Sequence, residues 1–153
     1  MKNLKLAAAI LTIALAIAAP VASSVFAQAT PTVTVATGET LLFSGNFSEI
    51  HAPTSGRVAI VKLADGKQVL RIVGLKTEAA PDLKVWLHEK ADLKANDEAT
   101  LKKGKYLDLG KLQGPFTGDS EYALPANIDL KQWKSAVLWC DQFSVAFGVT
   151  TLK

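Results

Sequence analysis

Arg57-Val-Ala-Ile-Val-Lys-Leu63, then Ala64-Asp-Gly-Lys67, then Gln68-Val-Leu-Arg-Ile-Val-Gly-Leu75 is the stretch from which the fold is read. Two β-branched runs flank an Asp-Gly pair, the strongest short-range signal for a β-hairpin, so antiparallel pairing is predicted across it. Downstream, Asp82 to His88 alternates as a strand entered through Ala80-Pro81, with the proline marking its boundary. Lys90 to Lys103 lacks a strong apolar stripe and reads as a loop or one short helix. Tyr106 to Leu112 is strand-like, Gly114-Pro115 is a turn, and Glu121 to Leu124 is short and extended. Ile128 to Trp133 is the likeness of a second helical turn, capped by Asn127 or Asp129. The last strand runs from Ser135 to about Val149 with a break in the middle. Short strands at turn-limited spacing predict an all-β fold: an antiparallel β-sandwich or barrel-like domain with one or two short helical turns.

Upstream the composition changes. Lys2 and Lys5 precede an apolar and Thr run from Leu6 to Ala19 that Pro20 closes, which reads as a signal peptide over residues 1–27. Small residues offer cleavage after Ala27 or Ala29. The run is shorter than the roughly 20 residues a spanning helix needs, so no stable membrane insertion is expected after cleavage; an uncleaved N-terminal anchor is the alternative. Residues 28–41, rich in Thr, Ala and Val, read as a tether or edge strand, and residues 42–153 as the β domain. The expected location is periplasmic or extracellular. Lys2 and Lys5 carry two of the three net positive charges, so the mature chain is nearly neutral. A nucleic-acid partner is therefore not expected. Lys102, Lys103 and Lys105 form the one local basic cluster, around Gly104, and read as a solvated loop.

Cys140 is the only cysteine, within Ala136-Val-Leu-Trp-Cys-Asp-Gln-Phe-Ser-Val-Ala-Phe147. An exported single cysteine is shielded by burial, paired with another chain, bound to a cofactor or kept for redox work. In one extended strand, Val137, Trp139, Asp141, Phe143, Val145 and Phe147 share a face. That bulky set is the expected core face, which places Cys140 on the thinner side towards a cavity, an interface or solvent. Asp141 interrupts the bulky face, and a bulge at Asp141-Gln142 would return Cys140 to the core. A redox thiol needs its thiolate favoured by positive charge or a ligand.

Gly45-Asn-Phe47, His51, Ser55-Gly-Arg-Val-Ala-Ile60, the Asp-Gly hairpin, Ala80-Pro-Asp-Leu-Lys-Val-Trp-Leu87, Leu109-Gly-Lys-Leu112, Tyr122-Ala-Leu-Pro125 and Val137-Leu-Trp-Cys-Asp-Gln-Phe143 together resemble the DM13 domain. The resemblance spans about Leu42 to Leu152. It implies an extracytoplasmic all-β electron-transfer domain, with Cys140 acting as a bare redox thiol or as ligand to a prosthetic group. It leaves that group unknown, with haem as the one to test and His51 as a second motif residue beside Cys140. The family often has Gly where this chain has Ala80. The implied partner is an extracytoplasmic redox or other protein. The alternative is a non-catalytic binding or scaffolding module in which Cys140 is structural.

Other chemistry is thin. His51 and His88 are the only imidazoles, and with one cysteine they make no structural zinc set, so no metal site is expected. Cys-x-x-Cys-His is absent, and Met1, the only methionine, lies in the predicted leader. His88-Glu-Lys-Ala-Asp92 ends in Asp where a zinc protease helix needs His. Asp119 and Glu121 flank a glycine-rich turn and read as solvated, and Asn46-Phe-Ser48 is a formal glycosylation sequon that counts only in a eukaryotic source.

Overall fold

Asp65-Gly66 closes its hairpin in the computed structural model, which describes residues 29–94, 98–113 and 115–153. The predicted leader and Gly114 lie outside the described residues. The chain runs through β1 (Thr40–Asn46), β2 (Ser48–Glu49), β3 (Ser55–Lys62), β4 (Gln68–Lys76), β5 (Leu83–His88) and one helical turn, α1 (Glu98–Leu101). It continues through β6 (Tyr106–Lys111), β7 (Thr117–Ala123), a 3-10 turn (Leu130–Gln132), β8 (Ser135–Cys140) and β9 (Val145–Thr151). One sheet has the order β1-β3-β4-β7 and the other β2-β9-β8-β5-β6, and every pairing is antiparallel. This is the expected sandwich. The 3-10 turn is capped by Asp129, whose carboxylate accepts from Lys131 N at 3.1 Å.

In the hairpin, Gly66 N–H donates to Leu63 O at 2.9 Å and Leu63 N–H to Lys67 O at 2.8 Å. Gly66 has φ +87°, a left-handed value that a side chain resists, which is why glycine ends this turn. Across β3 and β4, Val58 faces Ile72 and Ile60 faces Leu70. These four point inward and meet Leu83, Val85, Leu87, Leu138 and Phe147 of the second sheet. Each such buried aliphatic side chain contributes about 1.5–3 kcal/mol.

Both sheets are also covered outside. Ala59, Val61 and Val69 on the outer face of the first sheet pack under Val33 and Leu63. Residues 29–39 thus lie over that sheet as a tether without being a strand, and β1 opens at Thr40, opposite Lys62. Glu39 anchors the tether: its carboxylate accepts from Arg71 Nη1 and Nη2, both at 2.7 Å, and from Ala36 N at 2.9 Å. Arg71 Nε reaches Glu121 at 2.6 Å, and Asp119 accepts from Gly74 N at 2.7 Å. The two acidic residues therefore belong to β7 and have partners on β4.

The Arg71 hydrogen bonds hold Glu39 down from 4.5 to about 2. A carboxylate depressed in the folded state stabilises fully above its ordinary pKa and loses that contribution as pH falls towards the folded value. Between pH 4.5 and about 2, the wild type should therefore lose stability more steeply than Glu39→Gln. Denaturant midpoints measured against pH check this; parallel curves would overturn it.

Candidate functional site

Every residue of β8, from Ser135 to Cys140, is buried. An unbroken buried run means a strand covered on both faces. Ala136, Leu138 and Cys140 point into the space between the sheets, while Val137 and Trp139 point outward into a second apolar layer with Trp86, Leu93, Leu101, Ala146 and Val149. The expected assignment of faces is therefore reversed. The bulky face is buried, but under Leu93 and Leu101, and Cys140 lies in the inter-sheet core. The predicted single broken strand is a hairpin, with residues 141–144 as its turn. The irregularity falls between Leu138 and Trp139 rather than at Asp141-Gln142: Leu138 faces Gly148, Trp139 faces Ala146, and Phe147 is the extra residue.

Cys140 is 0% exposed and stands between Leu83 of β5 and Val145 of β9. Its thiol has no hydrogen-bond partner among the described residues. His51 is exposed in the loop after β2, and its ring lies 5.9 Å from that of Phe147. It shares no hydrogen bond with Cys140. His88 is 0% exposed; Nδ1 accepts from Lys90 N at 3.0 Å, which makes Nε2 the donor to Leu101 O at 2.9 Å. Both ring nitrogens are engaged, so His88 ties Lys90 and Leu101 to the end of β5 and offers no free lone pair.

A haem implied for Cys140 needs a slot in front of the sulfur. Five clefts open on the surface of the described residues, and neither Cys140 nor His51 lines any of these five. The sulfur is enclosed by aliphatic neighbours, so the residues present do not fit a haem in this arrangement. Among the described residues no three His, Cys, Asp or Glu side chains converge on a point suited to a metal ion.

Sequence reasoning missed an aromatic stack in the outer layer. Trp86 lies between Tyr106 and Trp139, with ring centroids 4.3 Å and 4.7 Å away and planes 22° and 20° from parallel. The strands supply this: residues 84, 86 and 88 of β5 face outward beside residues 106 and 108 of β6 and 137 and 139 of β8. Trp139 Nε1 donates to Asp141 Oδ1 at 2.7 Å, and Asp141 also pairs with Lys84, which has Asp108 at 3.7 Å. Lys84 holds the Asp141 carboxyl below its ordinary range, helped by the Trp139 N–H, and Asp141 in turn raises Lys84. Lys102 Nζ stands 5.7 Å over the Trp139 ring. Asp141, which broke the apolar pattern in the sequence, is thus the polar cap of a buried indole. The available signal was Trp and His alternating with Val and Leu in Lys84-Val-Trp-Leu-His88, large outward residues that call for a cover.

Residues 43–152 match the family described as Electron transfer DM13. No curated protein and no solved structure matches the chain.

Proposed function

The chain belongs to the DM13 family, whose domain is described as one of electron transfer, and on that premise we propose that it is an exported electron-transfer domain in which Cys140 is a shielded thiol. Export is supported by the charged start, the Leu6–Ala19 run and the small residues at Ala27 and Ala29. The partner on this reading is an extracytoplasmic redox protein. The observation that carries the shielded thiol is its complete burial without a polar partner. Thiol–disulfide exchange needs a thiolate that a second sulfur can reach, whereas a single electron crosses packed protein without contact between reagents. One-electron transfer therefore suits this interior, and exchange through an open thiol does not.

On this reading iodoacetamide does not modify Cys140 until the protein unfolds. Cys140→Ala keeps its rate of electron exchange with a soluble one-electron mediator. Cys140→Ser costs about 1–3 kcal/mol, because its hydroxyl is buried unpaired. One observation favours a second reading, in which Cys140 is itself the redox group: it directly follows Trp139, a member of the aromatic stack. Loss of mediator exchange in a folded Cys140→Ala protein would establish that second reading and overturn the first. Absence of exchange in the wild type would favour the scaffolding module.

A further inference from the structure

We propose that Tyr106, Trp86 and Trp139 form a one-electron relay through the outer layer of the second sheet, with Tyr106 as its solvent-facing terminal. This rests on the electron-transfer reading of the domain and assigns the path to residues that reading does not name. Tyrosine and tryptophan are the aromatic side chains most readily oxidised by one electron. Here three of them stand in sequence at 4.3 Å and 4.7 Å, nearly parallel, so their π systems overlap with nothing between. Exposure falls from 38% at Tyr106 to 2% at Trp86 and 0% at Trp139, so the stack leads from solvent inward.

The polar groups along the stack differ in a way that packing alone does not require. Trp139 gives its N–H to the carboxylate of Asp141, which stabilises positive charge on that ring, while the Lys102 ammonium over the ring face opposes it. Trp86 Nε1 is buried with no hydrogen-bond partner among the described residues. An unpaired buried N–H is uncommon. It leaves the middle ring without an acceptor for its proton, so Trp86 passes charge as a radical cation and does not trap it as a neutral radical. The Tyr106 side chain is exposed enough to release its proton to water.

In the relay step an outer-sphere one-electron oxidant, such as an oxidised metal centre of a partner, removes one electron from Trp139. Trp86 refills Trp139, Tyr106 refills Trp86, and the phenol O–H breaks with its proton going to water. The net change is one electron to the oxidant, one proton to solvent and a tyrosyl radical. A one-electron donor docked at Tyr106 then reduces that radical as it takes up a proton, restoring the phenol.

Lys102→Cys allows a ruthenium photosensitiser to be attached beside Trp139, because Cys140 is fully buried and escapes labelling. Flash oxidation of the bound metal, followed by transient absorption and electron paramagnetic resonance, should produce a tyrosyl radical. Adding Tyr106→Phe should abolish that signal and leave a tryptophan radical. Adding Trp86→Phe, which keeps a ring in the stack but one too hard to oxidise, should slow tyrosyl formation by an order of magnitude or more. An unchanged rate in Trp86→Phe overturns the relay, and so does a tyrosyl signal that survives Tyr106→Phe, which would place the radical on Tyr122. Tyr106→Phe removes only the hydroxyl of a residue that is 38% exposed, so the test stands even if Trp86→Phe folds poorly. Mediator exchange that persists with an unchanged Trp86→Phe rate sinks the relay alone, whereas a working relay in a protein that exchanges with no mediator sinks the functional reading.

Discussion

Trp139→Ala should lower the stability of the domain by about 3–5 kcal/mol, the range for truncating a fully buried aromatic side chain. Trp139 has no exposed surface, stacks on Trp86 and fills the space between β8 and the covering residues Leu93 and Leu101. Its removal also takes the indole N–H from Asp141, whose carboxylate still pairs with Lys84. Urea unfolding followed by circular dichroism reads the loss as a shift in midpoint at constant slope. A change below about 1 kcal/mol, the size typical of a surface substitution, would show that the outer layer contributes little to holding β5 and β8.

Gly45→Ala should cost about 3 kcal/mol for a single added methyl, at the upper end of what overpacking usually does. A Cβ at Gly45 would fall on the Thr151 carbonyl oxygen and Thr150 Oγ1, and a strand backbone cannot swing aside as a flexible side chain does. The position matters because the sheets are sewn together there. Ser44 N–H donates to Lys153 O at 2.9 Å, and Lys153 N–H to Ser44 O at 3.0 Å. Hydrogen exchange should show the Ser44 and Lys153 amides losing protection ahead of the β3–β4 hairpin. Uniform loss across both sheets would instead mean that the seam has no separate stability.

Which parts were legible follows from how local their causes are. The β3–β4 hairpin is encoded in four adjacent residues whose turn chemistry leaves little choice, and the Asp129 cap is equally local. The two faces of β8 were not readable in this way. Alternation separates a wet face from a dry one, and Ser135 to Cys140 has no wet face. Its outer cover comes from Leu93 and Leu101, in a segment whose own pattern is weak, and only the folded chain brings them over Trp139. The extra residue at Phe147 changes which side chains of β9 face inward, and nothing in Val145-Ala-Phe-Gly-Val149 marks it except the glycine. Cys140 was identified as the residue to explain, but its surroundings depend on Leu83 and Val145 from neighbouring strands. The aromatic stack likewise joins three strands, and its members look like ordinary core residues when taken singly.

The polar side chains along β7 have a consequence for how copies of the molecule behave together. The outer edge of a sheet is a row of amides and carbonyls to which any extended chain can add itself, and a protein without a covalent staple has only its surface to prevent polymerisation. Here Thr117, Asp119 and Glu121 line one such edge, and Asp119 is tied to Gly74 while Glu121 is tied to Arg71. On the other sheet, Asp108 takes the Gly110 N–H at 2.8 Å, so β6 offers an incoming strand one donor fewer. The same carboxylates that fasten the sheets internally put charge and hydration where a second molecule would have to dock, and so keep concentrated protein from assembling into fibres edge to edge.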